Sequence, residues 1–187
     1  MSEITYLKNN FLIAMPGMEG SSFSKSVTYL CQHDEEGALG LVINKPSTLT
    51  MGDIFKQLNV EAVRPGIAEI QVFMGGPVQP ERGFVVHSPV GDWDSTLVVN
   101  DQLALTSSKD ILEAISQDEG PDKWMVALGY AGWGSGQLEN EIQNNAWLHG
   151  RADEDIIFDE SIHQRWELAA HRIGVDISLM STDAGHC

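Results

Sequence analysis

The sequence predicts an α+β fold: a mixed, largely antiparallel, barrel-like sheet flanked by about four helices. Three observations carry that expectation. Apolar runs of strand length dominate the first hundred residues, the links between them are short and rich in Gly, Pro, Asn and Asp, and helical periodicity is confined to a few segments. Short links favour antiparallel pairing over regular βαβ alternation. At 187 residues the chain is expected to form a single domain, 1–187, with enough buried surface to fold without disulfide or metal.

The elements follow in order. Phe11–Met15 reads as a short buried strand stopped by Pro16-Gly17, and a loop with serines at 21, 22, 24 and 26 leads into the strand Val27–His33. Asp34-Glu35-Glu36-Gly37 has turn composition, so Ala38–Ile43 pairs back as a hairpin. Its unbroken apolar run implies that both faces are covered, and Asn44-Lys45-Pro46 ends it. Thr50 caps a helix through Leu58, with Asp53 at the capping-box position. Arg64-Pro65-Gly66 is a turn, Ile70–Met74 and Gly83–His87 are strands, and Leu97–Val99 and Leu103–Thr106 form a pair turning at Asn100-Asp101. A helix spans Ser108 to Asp118 and stops at Gly120-Pro121. Near the end, Asp155–Phe158 reads as a short strand and Glu160–Ile173 as a helix ended by Gly174.

The most distinctive stretch is Trp124–Leu148, WMVALGYAGWGSGQLENEIQNNAWL. An apolar run passes through glycines at 129, 132, 134 and 136 into a helix crowded with amides and carboxylates. Strand, glycine-rich turn and helix N-terminus form the usual layout of a phosphate site. No Lys or Arg lies between Lys123 and Arg151, however, and Glu139 falls in the first helical turn, where it competes with any anion. The glycines are therefore expected to shape a reversal that lets Tyr130 and Trp133 pack. On the helix, Glu139 and Glu141 point in different directions, whereas Gln137, Glu141 and Asn145 are spaced four apart and share a face.

Other combinations carry weaker chemistry. Simple alternation along the strand puts Cys31 and His33 on the face of Val27 and Tyr29, where His87 could in principle complete a metal site or a Cys–His pair. No CxxC, HExxH or Gly-x-Ser-x-Gly pattern supports either, so a buried cysteine and an ordinary histidine are expected, with no metal and no cofactor. His163, Glu167 and His171 form a stripe expected to face solvent, opposite Ile162, Trp166, Ala169, Ala170 and Ile173.

Composition narrows the partners. With 11 Lys plus Arg against 27 Asp plus Glu, the chain carries a formal charge of -16, and no two basic residues are adjacent. Such a balance disfavours direct contact with duplex nucleic acid or anionic lipid. Two cysteines, Cys31 and Cys187, no signal-like leader and no run of membrane-spanning length point to a soluble cytoplasmic protein.

Several blocks, FLIAMPGM, SFSKSVTYLCQHDEEGALGLVINKP, GGPV followed by GFVVHS, and ALGYAGWGSGQLENEIQNNAWL, occur in an order that resembles the YqgE/AlgH family of bacterial proteins, from about residue 5 to 180. The resemblance implies a complex α+β fold around a barrel-like sheet, with no agreed biochemical activity. It also implies a regulatory association, since relatives are often labelled transcriptional regulators. It transfers motif positions, namely Asn44, Pro46, Gly75-Gly76-Pro77, His87, Gly129-Tyr130, Gly132-Trp133, Gly136-Gln137-Leu138 and Trp147, without assigning catalytic roles.

Two functional readings follow. One is a non-catalytic regulatory or binding protein acting on another protein or a small ligand, without direct DNA contact. The other is an enzyme of unassigned reaction with a small-molecule site at Tyr130–Gln137. The candidate ligand- or partner-binding residues are Asn44, His87, Tyr130, Trp133, Gln137, Glu141 and Asn145.

Overall fold

The computed structural model describes residues 6–18 and 23–179; Ser21 and Ser22 of the serine-rich loop and Cys187 lie outside them. In chain order the strands are β1 (Asn10–Ala14), β2 (Val27–Asp34), β3 (Gly37–Val42), β4 (Pro46–Thr50), β5 (Gln71–Met74), β6 (Val78–Ser88), β7 (Thr96–Val98), β8 (Ala104–Thr106), β9 (Lys123–Gly134) and β10 (Trp147–Arg151). The helices are α1 (Met51–Gln57), α2 (Pro65–Ala68), α3 (Lys109–Ser116), α4 (Gln137–Gln143), α5 (Glu154–Phe158) and α6 (Arg165–Arg172). The class is α+β with mixed, largely antiparallel strand pairing, as the apolar runs predict. Among the described residues no helix is long and apolar enough to cross a membrane. The chain divides into two compact units, one formed by the residues up to Asn44 with those from Gly132 onward, the other by Lys45–Ala131.

In the first unit β10, β1, β2 and β3 lie side by side in that order, each antiparallel to the next. Phe11, Ile13, Val27, Tyr29, Leu41 and Ile43 are buried with Ile156 and Ile157 of α5 and Ala169 and Ala170 of α6. Side chains of this size each stabilise a fold by about 1.5–3 kcal/mol when removed from water. The small alanines bring α6 close to the sheet, where the Trp166 indole donates to the Ala14 carbonyl at 2.9 Å.

The register of β2 against β3 corrects one expectation. Thr28 pairs with Val42 and Leu30 with Gly40, but Gln32 pairs with Leu39 and His33 with Ala38, because a β-bulge falls between Leu30 and Gln32. Directly paired residues share a face. Val42, Gly40 and Ala38 lie on one face of β3, so His33 joins Thr28 and Leu30 and not Tyr29. One extra residue has moved the imidazole across the sheet.

In the second unit β9, β6, β8 and β7 follow one another, while β5 runs parallel to β9 and pairs on its other side with β4. The core gathers Met51, Ile54 and Phe55 from α1, Ile67 from α2, Ile111, Leu112 and Ile115 from α3, and Val72, Val85 and Val126 from the strands. Helix α1 starts where its capping box predicts, with the Thr50 N–H donating to Asp53 Oδ2 at 2.9 Å.

Three local expectations change. Gly129, Gly132 and Gly134 lie within β9, and only Gly136 stands in the turn before α4. The amide-rich helix ends at Gln143, and Trp147 opens a strand, β10. Residues Glu154–Phe158 form a helix, not a strand; Glu154 and Asp155 suit its first turn, and a short apolar run has no period to decide between the two. Asn44-Lys45-Pro46 does follow the end of β3, but Pro46 also begins a further strand, β4, for which the sequence gives no signal.

Candidate functional site

Helix α4 begins at Gly136, whose φ of 74° is left-handed backbone that glycine adopts without strain. Gln137 then turns back: its Oε1 accepts the Gly134 N–H at 3.0 Å, and its Nε2 donates to Glu141 Oε2 at 3.0 Å. The four-residue spacing makes that second bond possible. Glu141 Oε1 accepts two further bonds, from the indole of Trp133 at 3.2 Å and that of Trp147 at 3.0 Å. Both rings are buried and meet edge to face with centroids 6.2 Å apart. Three of the sequence-predicted candidates, Trp133, Gln137 and Glu141, are thus brought together with Trp147 around one carboxylate. Through one carboxylate the arrangement ties α4 to Trp133 of β9 and Trp147 of β10.

The neighbouring acid has a partner that sequence spacing does not reveal. Glu139 meets His33 Nε2 across 106 positions, a contact made possible by the bulge in β2. The Leu7 N–H donates to His33 Nδ1 at 2.9 Å. With Nδ1 accepting that bond, Nε2–H donates to the carboxylate. Tyr6 packs edge to face on the same imidazole.

Asn44 is a clamp. Its Oδ1 accepts the Val27 N–H and its Nδ2 donates to the Lys25 carbonyl, both at 2.9 Å, so the amide fastens the start of β2 to the end of β3. Asn145 closes α4 in left-handed conformation, φ 61°, a role asparagine accepts more readily than most residues, and it is exposed. Arg165, absent from the candidates, is buried and reaches Ile43 O at 2.5 Å and Glu160 O at 3.1 Å. Burial lowers its pKa, opposed by Asp159 and Glu160. Cys31 is fully buried, which raises its thiol far above the ordinary range and makes it an inert core side chain.

In the second unit His87 is fully buried. Its Nδ1–H donates to the Pro89 carbonyl at 2.9 Å, which leaves Nε2 to accept the Thr106 hydroxyl at 2.7 Å. Burial lowers its pKa below the usual histidine value, and the Pro89 bond partly opposes that. Tyr130 is half-buried and packs edge to face on Phe84 with centroids 5.5 Å apart. The two are not neighbours: His87 pairs with Trp124, six residues along β9 from Tyr130, roughly 20 Å of strand. Gly129, with φ of 73°, lies so close to Gly76 that a Cβ would overlap its carbonyl oxygen. The GGP and GYAGWG motifs therefore meet as backbone against backbone. Among the described residues no group of three or more His, Cys, Asp or Glu side chains is placed to hold a metal.

Comparison with known proteins agrees with the motif order. The DUF179 family model, described as AlgH-like, matches residues 11–178. A UPF0301 protein of Methylococcus capsulatus is 51% identical over 185 residues, covering 99% of this chain and 98% of the relative. One from Thioalkalivibrio sulfidiphilus is 53% identical over 186 residues with both chains fully covered. The solution structure of the AlgH protein from Pseudomonas aeruginosa superposes with a TM-score of 0.80 at 47% identity, covering 100% of this chain and 99% of that one. A crystal structure of a Corynebacterium diphtheriae protein shares the fold at 22% identity and a TM-score of 0.75, covering 97% and 95%. The chain belongs to the AlgH-like family.

Proposed function

We propose that this chain is a non-catalytic binding protein with a regulatory role, and that its partner is another protein. The observation that carries the reading is the engagement of Glu141 with Trp133, Trp147 and Gln137, which commits the carboxylate beside the Tyr130–Gln137 turn to bonds within the fold. His87 is likewise enclosed, and its pairing with Trp124 sets it six residues along β9 from Tyr130, away from the turn where the enzymatic reading puts its site. What α4 leaves to solvent is a row of neutral amides, Asn140, Asn144 and Asn145, suited to contact with a protein surface. A charge of -16 argues against duplex DNA as the direct partner. We place the protein in the cytoplasm, where a buried free thiol is stable.

Photo-crosslinking in living cells tests this. A benzoylphenylalanine at position 145, just past α4, or at 168 on α6 is expected to yield a discrete protein adduct from at least one position. No adduct from either, or tight and salt-sensitive binding to a defined DNA fragment, overturns the reading.

A further inference from the structure

Helix α6 has two unlike faces. Arg165, Ala169 and Ala170 are buried, whereas Gln164, Glu167 and His171 are exposed and Leu168 is half-buried. The helix ends at Gly174, φ 84°, with the Val175 N–H closing on the Ala170 carbonyl at 3.0 Å. That reversal sends Val175, Asp176 and Ile177 back alongside Leu168. An open groove of about 330 Å³ results. Its apolar lining comes from Leu168, Val175 and Ile177, and its rim carries Glu167 and Asp176 with Gln164 and His171.

The electrostatics of the groove are one-sided. Among the described residues no Lys or Arg lines it. Of the two cations adjacent to it in sequence, Arg165 is buried against the Glu160 and Ile43 carbonyls, and Arg172 is drawn away by Asp155 at 2.5 Å and Asp153 at 3.3 Å, so the rim itself carries only acidic charge. Leu179, at the end of the turn that follows, is 84% exposed. From Gln164 to His171 the helix rises roughly 10 Å, the span of about two turns of a helical ligand.

We propose that this groove docks a short, basic, amphipathic segment of a partner protein. One apolar side chain sits between Leu168 and Val175, and flanking Lys or Arg side chains meet Glu167 and Asp176. The occupant is chosen by charge complementarity: an apolar slot with an acidic rim on an acidic protein repels acidic partners at encounter and steers basic ones in. This inference rests on the protein-binding reading above and commits it to one face. A contact of this size belongs to the weak, transient class.

The test is an amide NMR titration of the full-length chain with three 14-residue peptides: one of Leu and Lys in amphipathic helical spacing, the same with Glu replacing Lys, and one of Lys and Ser. The Leu/Lys peptide is expected to shift residues 164–177 saturably, and the other two are not. Leu168→Ser, with its folding checked by thermal melt, weakens that binding on the order of tenfold, and Glu167→Lys weakens it similarly. Glu61→Lys, an exposed charge reversal outside the groove, leaves it within about twofold. Diffuse, non-saturating shifts, equal binding of the Leu/Glu peptide, or an unchanged Leu168→Ser variant overturns the proposal. Groove shifts that follow protein concentration alone assign it to a second copy and overturn it, as do Overhauser contacts from residues 180–187 to Leu168 in the free protein. If peptides fail here while crosslinks form from position 145, the binding reading stands and this groove does not.

Discussion

Gly129 and Gly76 meet backbone to backbone, with the Gly76 carbonyl occupying the space a side chain on Gly129 would need. Gly136, also left-handed, has nothing within 4 Å of the corresponding position. The two glycines therefore separate conformational strain from close approach. Gly136→Ala is expected to lose about 1–2 kcal/mol, the left-handed penalty alone. Gly129→Ala adds a steric overlap with main chain and should lose several kcal/mol or fail to fold. Urea denaturation of both variants decides; equal losses would show that β9 has no special need for glycine at 129.

His87 sets a pH dependence with a definite sign. Burial disfavours the imidazolium, so the folded chain holds the proton less tightly than the unfolded chain does. The contribution to stability is complete above the unfolded pKa of about 6.5 and is lost as the pH falls from there through the lower folded value. Wild-type stability should therefore drop more steeply on acidification below about pH 6.5 than that of His87→Asn, by at most about 1.4 kcal/mol per pH unit. Parallel profiles would show that His87 does not carry the effect.

Thr28 lies on β2 with its hydroxyl fully buried and without a hydrogen-bond partner. Valine has the same shape and no polar atom to desolvate. Thr28→Val should raise stability by roughly 1 kcal/mol, about 2–4 °C in melting temperature for a chain of this size. A lowered melting temperature would mean that the hydroxyl is in fact satisfied.

The fold was readable where local pattern and tertiary role coincide. The apolar runs Phe11–Met15, Val27–His33 and Ala38–Ile43 became β1, β2 and β3 to within a residue, and Thr50 with Asp53 marked a helix start. The reversal expected of the glycines at 129, 132 and 134 is absent, since all three lie within β9, although Tyr130 and Trp133 do pack on Phe84 and Trp147. Reading failed where the deciding partner is remote. The bulge at Cys31 is one residue with no sequence signature; it appears only in the pairing of Gln32 with Leu39. It also produced the His33–Glu139 contact, which no helical or strand spacing could suggest. Trp147–Arg151 gives no alternation signal because Trp147 and His149 share a face yet one is buried and the other exposed, and Gly150 is fitted against Ile173. Of the candidate residues, the four-residue spacing put Gln137, Glu141 and Asn145 on one face, but spacing alone could not say that Gln137 and Glu141 bind each other or that Trp133 joins them.

The central claim is that this polar cluster is scaffold and that the protein acts by binding. Glu141→Ala tests it most directly, measured at once by denaturation and by the yield of the position-168 crosslink well below the melting temperature. Removing the carboxylate strands two buried indole N–H groups, so the account predicts a stability loss of about 2–4 kcal/mol with the adduct retained. Stability within about 0.5 kcal/mol of wild type, together with loss of the adduct, would place Glu141 in the functional contact and contradict the account.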